Sequence, residues 1–394
     1  AYFGSVPKKY DLIISEPSNP WMGGTASLFS TEFYQYIPRQ LNEDGLFVQW
    51  LQLYEITPEL VNSVLSAMLA NFSDVRAYMA NETDMILVAS PGGTVPSMSG
   101  ELFKQSSLAK DLARIGVLDL RDLQDTMVVD RRGLEGHVAL YPHRTNSDMF
   151  PVLKLQAPQA RFQNALAGDF DELGNAPWPI IRHLGGPSAR RGTAPAAPRR
   201  LPLSSFRQSE EATSIHAALM EKSVPAVGSP SRFNALQVDA LRGLAASCQL
   251  GARSERDATM LFAMATETVA YLDSQRLQQM WIRPEWLRCT AGDETVDRAL
   301  AFISAVAEDR HGDVLQLGLA LLEGEHSHAL LNDGVSGLYI VGAMQYAALL
   351  AGNPTFSQQL TERYWKQLDR RSQGNSSLRL LSWLASGSEP RRVQ

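Results

Sequence analysis

Residues 10–33 read YDLIISEPSNPWMGGTASLFSTEF. Leu12, Ile13 and Ile14 follow one another without polar alternation, the pattern of an interior strand buried on both faces of an α/β sheet. The run ends at Glu16, a carboxylate at the carboxyl end of the strand, where open α/β sheets hold their ligands. Pro17 and Pro20 stiffen the loop that follows and bar it from pairing as a central strand. Trp21 adds a flat aromatic face, and Gly23-Gly24 lets backbone approach a ligand closely.

Working outward, residues 30–43 predict a helix. Ser30 can cap it, Glu32 suits its first turn, and Phe33, Ile37 and Leu41 form its apolar stripe, with Pro38 set to kink or shorten it. Asn42-Glu43-Asp44-Gly45 reads as a turn and Leu46–Leu51 as a second buried strand. Thr57-Pro58-Glu59 is a helix start made of a cap, a proline in the first turn and an acid. Val75–Met79 and Met85–Ala89 read as paired strands joined by Asn81-Glu82-Thr83-Asp84. This order predicts an α/β fold, the second half of a Rossmann-like, methyltransferase-type sheet. Leu102–Ile115 and Asp119–Thr126 read as helices.

Residues 183–209 are rich in Pro, Gly, Ser, Ala and Arg and read as a flexible linker, with Arg190, Arg191, Arg199 and Arg200 as solvated charge. From Glu210 onward only helical spacing appears, at Phe233–Leu250, Glu255–Leu272, Val296–Glu308, Val314–Glu323, Leu338–Leu350 and Ser357–Leu368. The expected organisation is an α/β domain over 1–163, a largely flexible linker over 164–209, and an all-α, repeat-like helical array over 210–394.

The composition is that of a soluble globular chain: 394 residues, 44% hydrophobic and 20% charged. A net charge of −6 supplies no field that recruits nucleic acid. The two cysteines, Cys248 and Cys289, are too few for a metal framework and read as buried small hydrophobes. Glu325, His326 and His328 read as solvated residues of a helical turn, so no metal is expected. No Gly-x-Gly-x-x-Gly follows a strand, and no Ser/His/acid or Cys/His nucleophile signature is present. The longest uncharged stretch, Gly334–Thr361, reads as a buried helix, because its apolar part falls short of the roughly 20 residues a membrane span needs.

The segment resembles the post-strand region of polyamine aminopropyltransferases, the spermidine synthase family. Glu16-Pro17-Ser18-Asn19-Pro20 stands where that family has an Asp-Ser-Ser-Asp-Pro loop, Ser27-Leu28-Phe29 at its Ser-Leu-Phe triplet, and Phe33-Tyr34 at an aromatic pair. The spelling SEPSNPW is closer still to a bacterial spermidine synthase-like subgroup often fused to membrane-transporter segments. The resemblance runs from about Tyr10 to Ser90, with a weaker echo at Phe150–Arg161 (FPVLKLQAPQAR). It implies the C-terminal part of a catalytic domain only, with the glycine-rich nucleotide loop upstream of Ala1.

The resemblance implies transfer of an aminopropyl group from decarboxylated S-adenosylmethionine to a polyamine acceptor, with no metal. It implies catalytic roles for Glu16 and Asn19 and substrate contacts for Ser18, Trp21, Gln49 and Tyr54. Asn19 departs from the second Asp of the family loop and cannot act as a base, which keeps two other readings open. One is an S-adenosylmethionine-dependent methyltransferase of the same fold, using Asn19-Pro20-Trp21. The other is a non-catalytic nucleoside- or polyamine-binding or protein-interaction domain. The expected partners are a small polyamine, and a protein partner or a second copy through the helical region. The expected location is the cytoplasm, free or as the cytoplasmic part of a membrane protein with a membrane segment upstream of Ala1. Without upstream residues the chain is expected to show no turnover and to carry an unpaired sheet edge.

Overall fold

The computed structural model describes residues 8–178 apart from 23 and 125, residue 180, residues 204–221, 232–249, 255–287 apart from 285, and 294–386. Gly23, the four linker arginines, Cys289 and the side chain of Cys248 lie outside the described residues.

Five strands form one mixed sheet: β1 (Tyr10–Ser15), β2 (Leu41–Gln52), β3 (Asp74–Met79), β4 (Asp84–Ser90) and β5 (Met127–Val129), in the order β1-β2-β4-β3-β5. β1 runs parallel to β2, and the other pairings are antiparallel. The fold is α/β as expected, and the β3–β4 pair is the antiparallel hairpin its sequence predicts.

One face of the sheet is dry. Ile13, Phe47, Leu51, Val75, Ala77, Met85, Leu87 and Ala89 are buried there beneath the helices Thr31–Tyr36, Pro58–Leu69 and Arg131–Leu140. Tyr34, Phe47 and Phe72 meet within it, with the Phe47 and Phe72 rings stacked 5.6 Å apart. The opposite face is open at β1. Leu12 is 49% exposed and Ile14 66% exposed. The apolar run is therefore not an interior strand buried on both faces. β1 is an edge strand, and among the described residues only β2 pairs with it.

The local start signals act as written. Ser30 Oγ accepts from Phe33 N at 3.3 Å and Thr57 Oγ1 from Leu60 N at 3.4 Å, each supplying an N-terminal helix amide with an acceptor. Pro38 ends the regular helix at Tyr36, and Ile37–Gln40 continue as a tighter single turn. The expected turn at residues 42–45 is instead a bulge inside β2. Tyr10 pairs with Leu41 but Leu12 with Leu46, so the intervening residues loop out of register. Gly45 permits this, because a Cβ there would lie 2.9 Å from the Tyr10 carbonyl oxygen. Asn42 Nδ2 donates to Asp11 Oδ1 at 2.6 Å and ties the bulge to β1.

Beyond β4, Leu102–Ile115 resolves into a short turn, Gly100–Lys104, and the helix Ser106–Arg114. The helices Arg131–Leu140, Val152–Phe162 and Asp169–Gly174 complete the first core. Helix Asp169–Gly174 falls within the stretch expected as linker, and it buries Phe170 and Leu173 there. A second core gathers the C-terminal helices around Phe262, Trp281, Phe302 and Tyr339. The helix Ser336–Leu350 is buried on nearly every side. Among the described residues no helix is long and apolar enough to cross a membrane.

The two cores are joined. Trp178 is buried against Tyr339, ring centroids 6.4 Å apart. Ser376 Oγ donates to Asp169 Oδ1 at 2.8 Å. His137 lies fully buried beneath this junction, with Nδ1 2.6 Å from Asn62 Oδ1 and Nε2 3.6 Å from Asp169 Oδ2.

Candidate functional site

β1 and β2 run in the same direction, so their carboxyl ends open onto a common rim. From β1 comes the loop 16–22, and from β2 the segment 53–56. Pro17 and Pro20 are buried, while Glu16 and Ser18, on either side of Pro17, are exposed. Met22 N donates to the Asn19 carbonyl at 2.9 Å and closes the loop as a turn. Gly24 follows with φ 86°, a left-handed conformation that suits glycine.

Glu16 is held in place by its backbone and by nothing else. Among the described residues no hydrogen bond or ion pair engages its carboxylate, and the same holds for Ser18. Tyr54 reaches across from β2, its hydroxyl 3.5 Å from Asn19 Oδ1, at the long limit of a hydrogen bond. Trp21 and Tyr54 are both half-buried, so each shows part of its ring at the rim. Glu16, Ser18, Asn19, Trp21 and Tyr54 therefore share one side of the sheet's carboxyl end.

Gln49 is differently placed. It is fully buried, with Oε1 accepting from the Tyr34 hydroxyl at 2.8 Å. Its Nε2 lies 3.4 Å from the Leu28 carbonyl and 3.5 Å from Ser15 Oγ. These contacts tie β2, the end of β1 and the Ser-Leu-Phe turn together beneath the loop. Burial pushes the Tyr34 hydroxyl well above the ordinary tyrosine range, so it stays a donor to Gln49. In this arrangement Gln49 supports the rim from below.

Two residues that the sequence did not single out complete the rim. Glu55 follows Tyr54 with φ 54°, in the left-handed region that a long side chain rarely adopts. The strain is held by flanking pairings. Leu53 N donates to the Thr83 carbonyl at 2.7 Å, Ala167 N to the Leu53 carbonyl at 2.9 Å, and Tyr54 bridges to Leu166. Arg161, in the last turn of helix Val152–Phe162, places Cζ 5.4 Å from the Trp21 ring centroid and Nε 3.6 Å from Glu55 Oε2. Arg161 ends the weaker motif FPVLKLQAPQAR, which was the available signal for it. Nothing in the sequence marked Glu55.

Glu325, His326 and His328 lie at the start of the short helix Ser327–Asn332. Among the described residues no group of three His, Cys, Asp or Glu side chains converges to hold a metal ion, and His328 is engaged with Asn332.

The N-terminal part of the chain resembles known proteins. Residues 1–83 match the spermine/spermidine synthase domain. The chain is 36% identical over 73 residues to a polyamine aminopropyltransferase of Bacillus cytotoxicus, and to the proteins of that name from Bacillus mycoides and Bacillus cereus. Each of these matches covers 18% of this chain and 26% of the relative, so the chain spans about a quarter of the length of the curated relatives it matches. Together they support the spermidine synthase family for this N-terminal part. Arg161 lies beyond the matched domain.

Proposed function

We propose that this chain supplies the acceptor-amine side of a spermidine synthase-like transferase, which moves an aminopropyl group from decarboxylated S-adenosylmethionine to a polyamine. Glu16 carries the reading. It is an exposed carboxylate with no partner among the described residues, at the carboxyl end of a parallel strand and in one short loop with an aromatic wall. A structural carboxylate would be expected to cap, pair or brace, and this one does none of these.

The chemistry follows from the acceptor. An alkylamine with a pKa near 10.4 arrives protonated and unreactive. Glu16 attracts the cation and takes the proton that the attacking nitrogen must lose. The nitrogen then forms a bond to the carbon beside the sulfonium, the carbon–sulfur bond breaks, and its electron pair leaves on a neutral thioether. Trp21 and Tyr54 offer ring faces to the methylene stem and to the ammonium. The reading assigns the nucleotide's glycine-rich loop to polypeptide outside these 394 residues, so turnover is expected of a longer product.

Product analysis by mass spectrometry tests this. The longer polypeptide is incubated with 1,4-diaminobutane and either decarboxylated S-adenosylmethionine or S-adenosylmethionine itself. An aminopropylated amine formed from the decarboxylated donor, and lost in Glu16→Gln, is the expected result. A methylated amine formed from S-adenosylmethionine would assign the site to a methyltransferase instead. Full turnover in Glu16→Gln would remove Glu16 from the mechanism.

A further inference from the structure

We propose that Trp21 and Glu55 form a subsite for an alkylammonium group, and that Arg161 is the chain's own cation, holding this subsite until the far end of a polyamine displaces it. The inference rests on the polyamine reading above and adds to it a second anion and a gate.

A primary ammonium on an alkyl chain is recognised by two things, an aromatic face and a carboxylate. Trp21 and Glu55 are such a pair, and both are engaged by one guanidinium: Arg161 Cζ at 5.4 Å from the indole centroid, Nε at 3.6 Å from Glu55 Oε2. The two contacts come from different segments of the rim, Trp21 from the β1 loop and Glu55 from the chain just beyond β2. A cation of the right size placed between them would meet the same partners as Arg161.

The contact is made to be exchanged. The Arg161 side chain is 55% exposed and that of Glu55 31% exposed. A distance of 3.6 Å is an ion pair without hydrogen-bond geometry, and it is not the bidentate arrangement that makes arginine–carboxylate pairs strong. Solvent screens such a pair heavily. Glu55 itself is in a strained backbone conformation, which the Leu53–Thr83, Leu53–Ala167 and Tyr54–Leu166 pairings hold in place. Strain of this kind on a long acidic residue, held by pairings to the segments at Thr83 and at Leu166–Ala167, fixes where its side chain departs from the backbone.

The subsite also accounts for Asn19. An acceptor with two ammonium groups needs two anions, and the loop provides one, Glu16, because Asn19 carries no charge. Tyr54 links the two regions, with its hydroxyl 3.5 Å from Asn19 Oδ1 and its backbone joined directly to Glu55. The second anion therefore comes from β2 rather than from the loop. Leu166, 57% exposed and paired with Tyr54, adds apolar surface beside the subsite.

The alternative role for Arg161 is a brace that holds helix Val152–Phe162 to the loop, and the two roles differ in the sign of one measurement. Titration calorimetry on the 394-residue chain, with 1,4-diaminobutane and with butylamine as probes, compares the native protein with Arg161→Ala, Arg161→Gln, Glu55→Gln and the Arg161→Ala/Glu55→Gln pair. Removing the internal competitor is expected to tighten diamine binding about fivefold to tenfold, the scale of one exposed cation–π contact and one exposed ion pair together. Glu55→Gln added to Arg161→Ala is expected to abolish that gain, and butylamine, with one ammonium to place, is expected to bind more weakly than the diamine throughout. Diamine binding that is unchanged or weaker in both Arg161 variants, with folding intact by circular dichroism, overturns the gate and leaves Arg161 a brace. If binding depends on Glu16 but not on Glu55, the subsite falls while the transferase reading stands. If neither the native chain nor any variant binds the diamine, the subsite falls, and the transferase reading is decided by the turnover assay on the longer polypeptide.

Discussion

The Tyr34 hydroxyl donates a 2.8 Å hydrogen bond to Gln49 Oε1 in a position closed to solvent. The pair joins the helix after the loop to the strand beside it, and so fixes the floor on which Glu16 and Trp21 stand. Tyr34→Phe removes the donor and leaves a buried amide oxygen short of its nearest partner. The expected cost is about 1–3 kcal/mol, read as a lower urea midpoint at unchanged slope. An unchanged midpoint would mean that the pair contributes nothing to holding the rim.

Glu16→Gln is expected to behave in the opposite way. The side chain is exposed and makes no contact among the described residues, so stability should move by less than about 0.5 kcal/mol. In the turnover assay the same substitution should cost on the order of a hundredfold to ten-thousandfold, the usual weight of a positioned general base. A large loss of stability would show that Glu16 is structural after all.

Asp169 gives the junction between the cores a pH dependence. Burial alone would raise its pKa, but the His137 ring 3.6 Å away and the hydrogen bonds from Ser376 and Tyr141 outweigh burial and hold the carboxyl below its usual range. A group depressed in the folded state contributes stability that is fully present above the unfolded value, about 3.9, and is lost as pH falls through the lower folded value. Unfolding free energy should therefore decline as pH is taken below about 4, and Asp169→Asn should flatten that decline. An identical acid limb in the variant would place the dependence elsewhere.

Gly136 marks a close approach at the same junction. A Cβ there would stand 2.6 Å from Leu380 Cδ1 and 2.7 Å from the Trp383 ring. Gly136→Ala should cost about 1–3 kcal/mol through overpacking, despite its better helix propensity. The loss should appear as a lower melting temperature. A rise would show that helix Ser376–Ala385 can give way freely.

Most of the α/β unit was legible because its signals are local. Ser30, Thr57 and Pro38 each act within one helical turn, and the β3–β4 hairpin is set by alternation around residues 81–84. The failures share a cause as well. Asn42-Glu43-Asp44-Gly45 has turn composition, and only the pairing of Tyr10 with Leu41 and of Leu12 with Leu46 shows that the chain continues as one strand. The run Leu12–Ile14 carries the apolar content of an interior strand, while its neighbours decide its exposure. At the candidate site, Glu16 and Trp21 belong to one contiguous motif. Gln49 stands where the resemblance implies a substrate contact, and its buried partner, the Tyr34 hydroxyl, is visible only in the fold. Glu55 and Arg161 lie more than a hundred residues apart in the chain and become a pair only through the fold.

The bared margin of β1 has a practical consequence. Among the described residues only β2 pairs with β1, and the other margin, beside exposed Leu12 and Ile14, is a template for any other extended chain, including another copy of itself. Preparations of this polypeptide should grow stickier with concentration, and particles detected by light scattering would then record strand-to-strand adhesion rather than a working assembly.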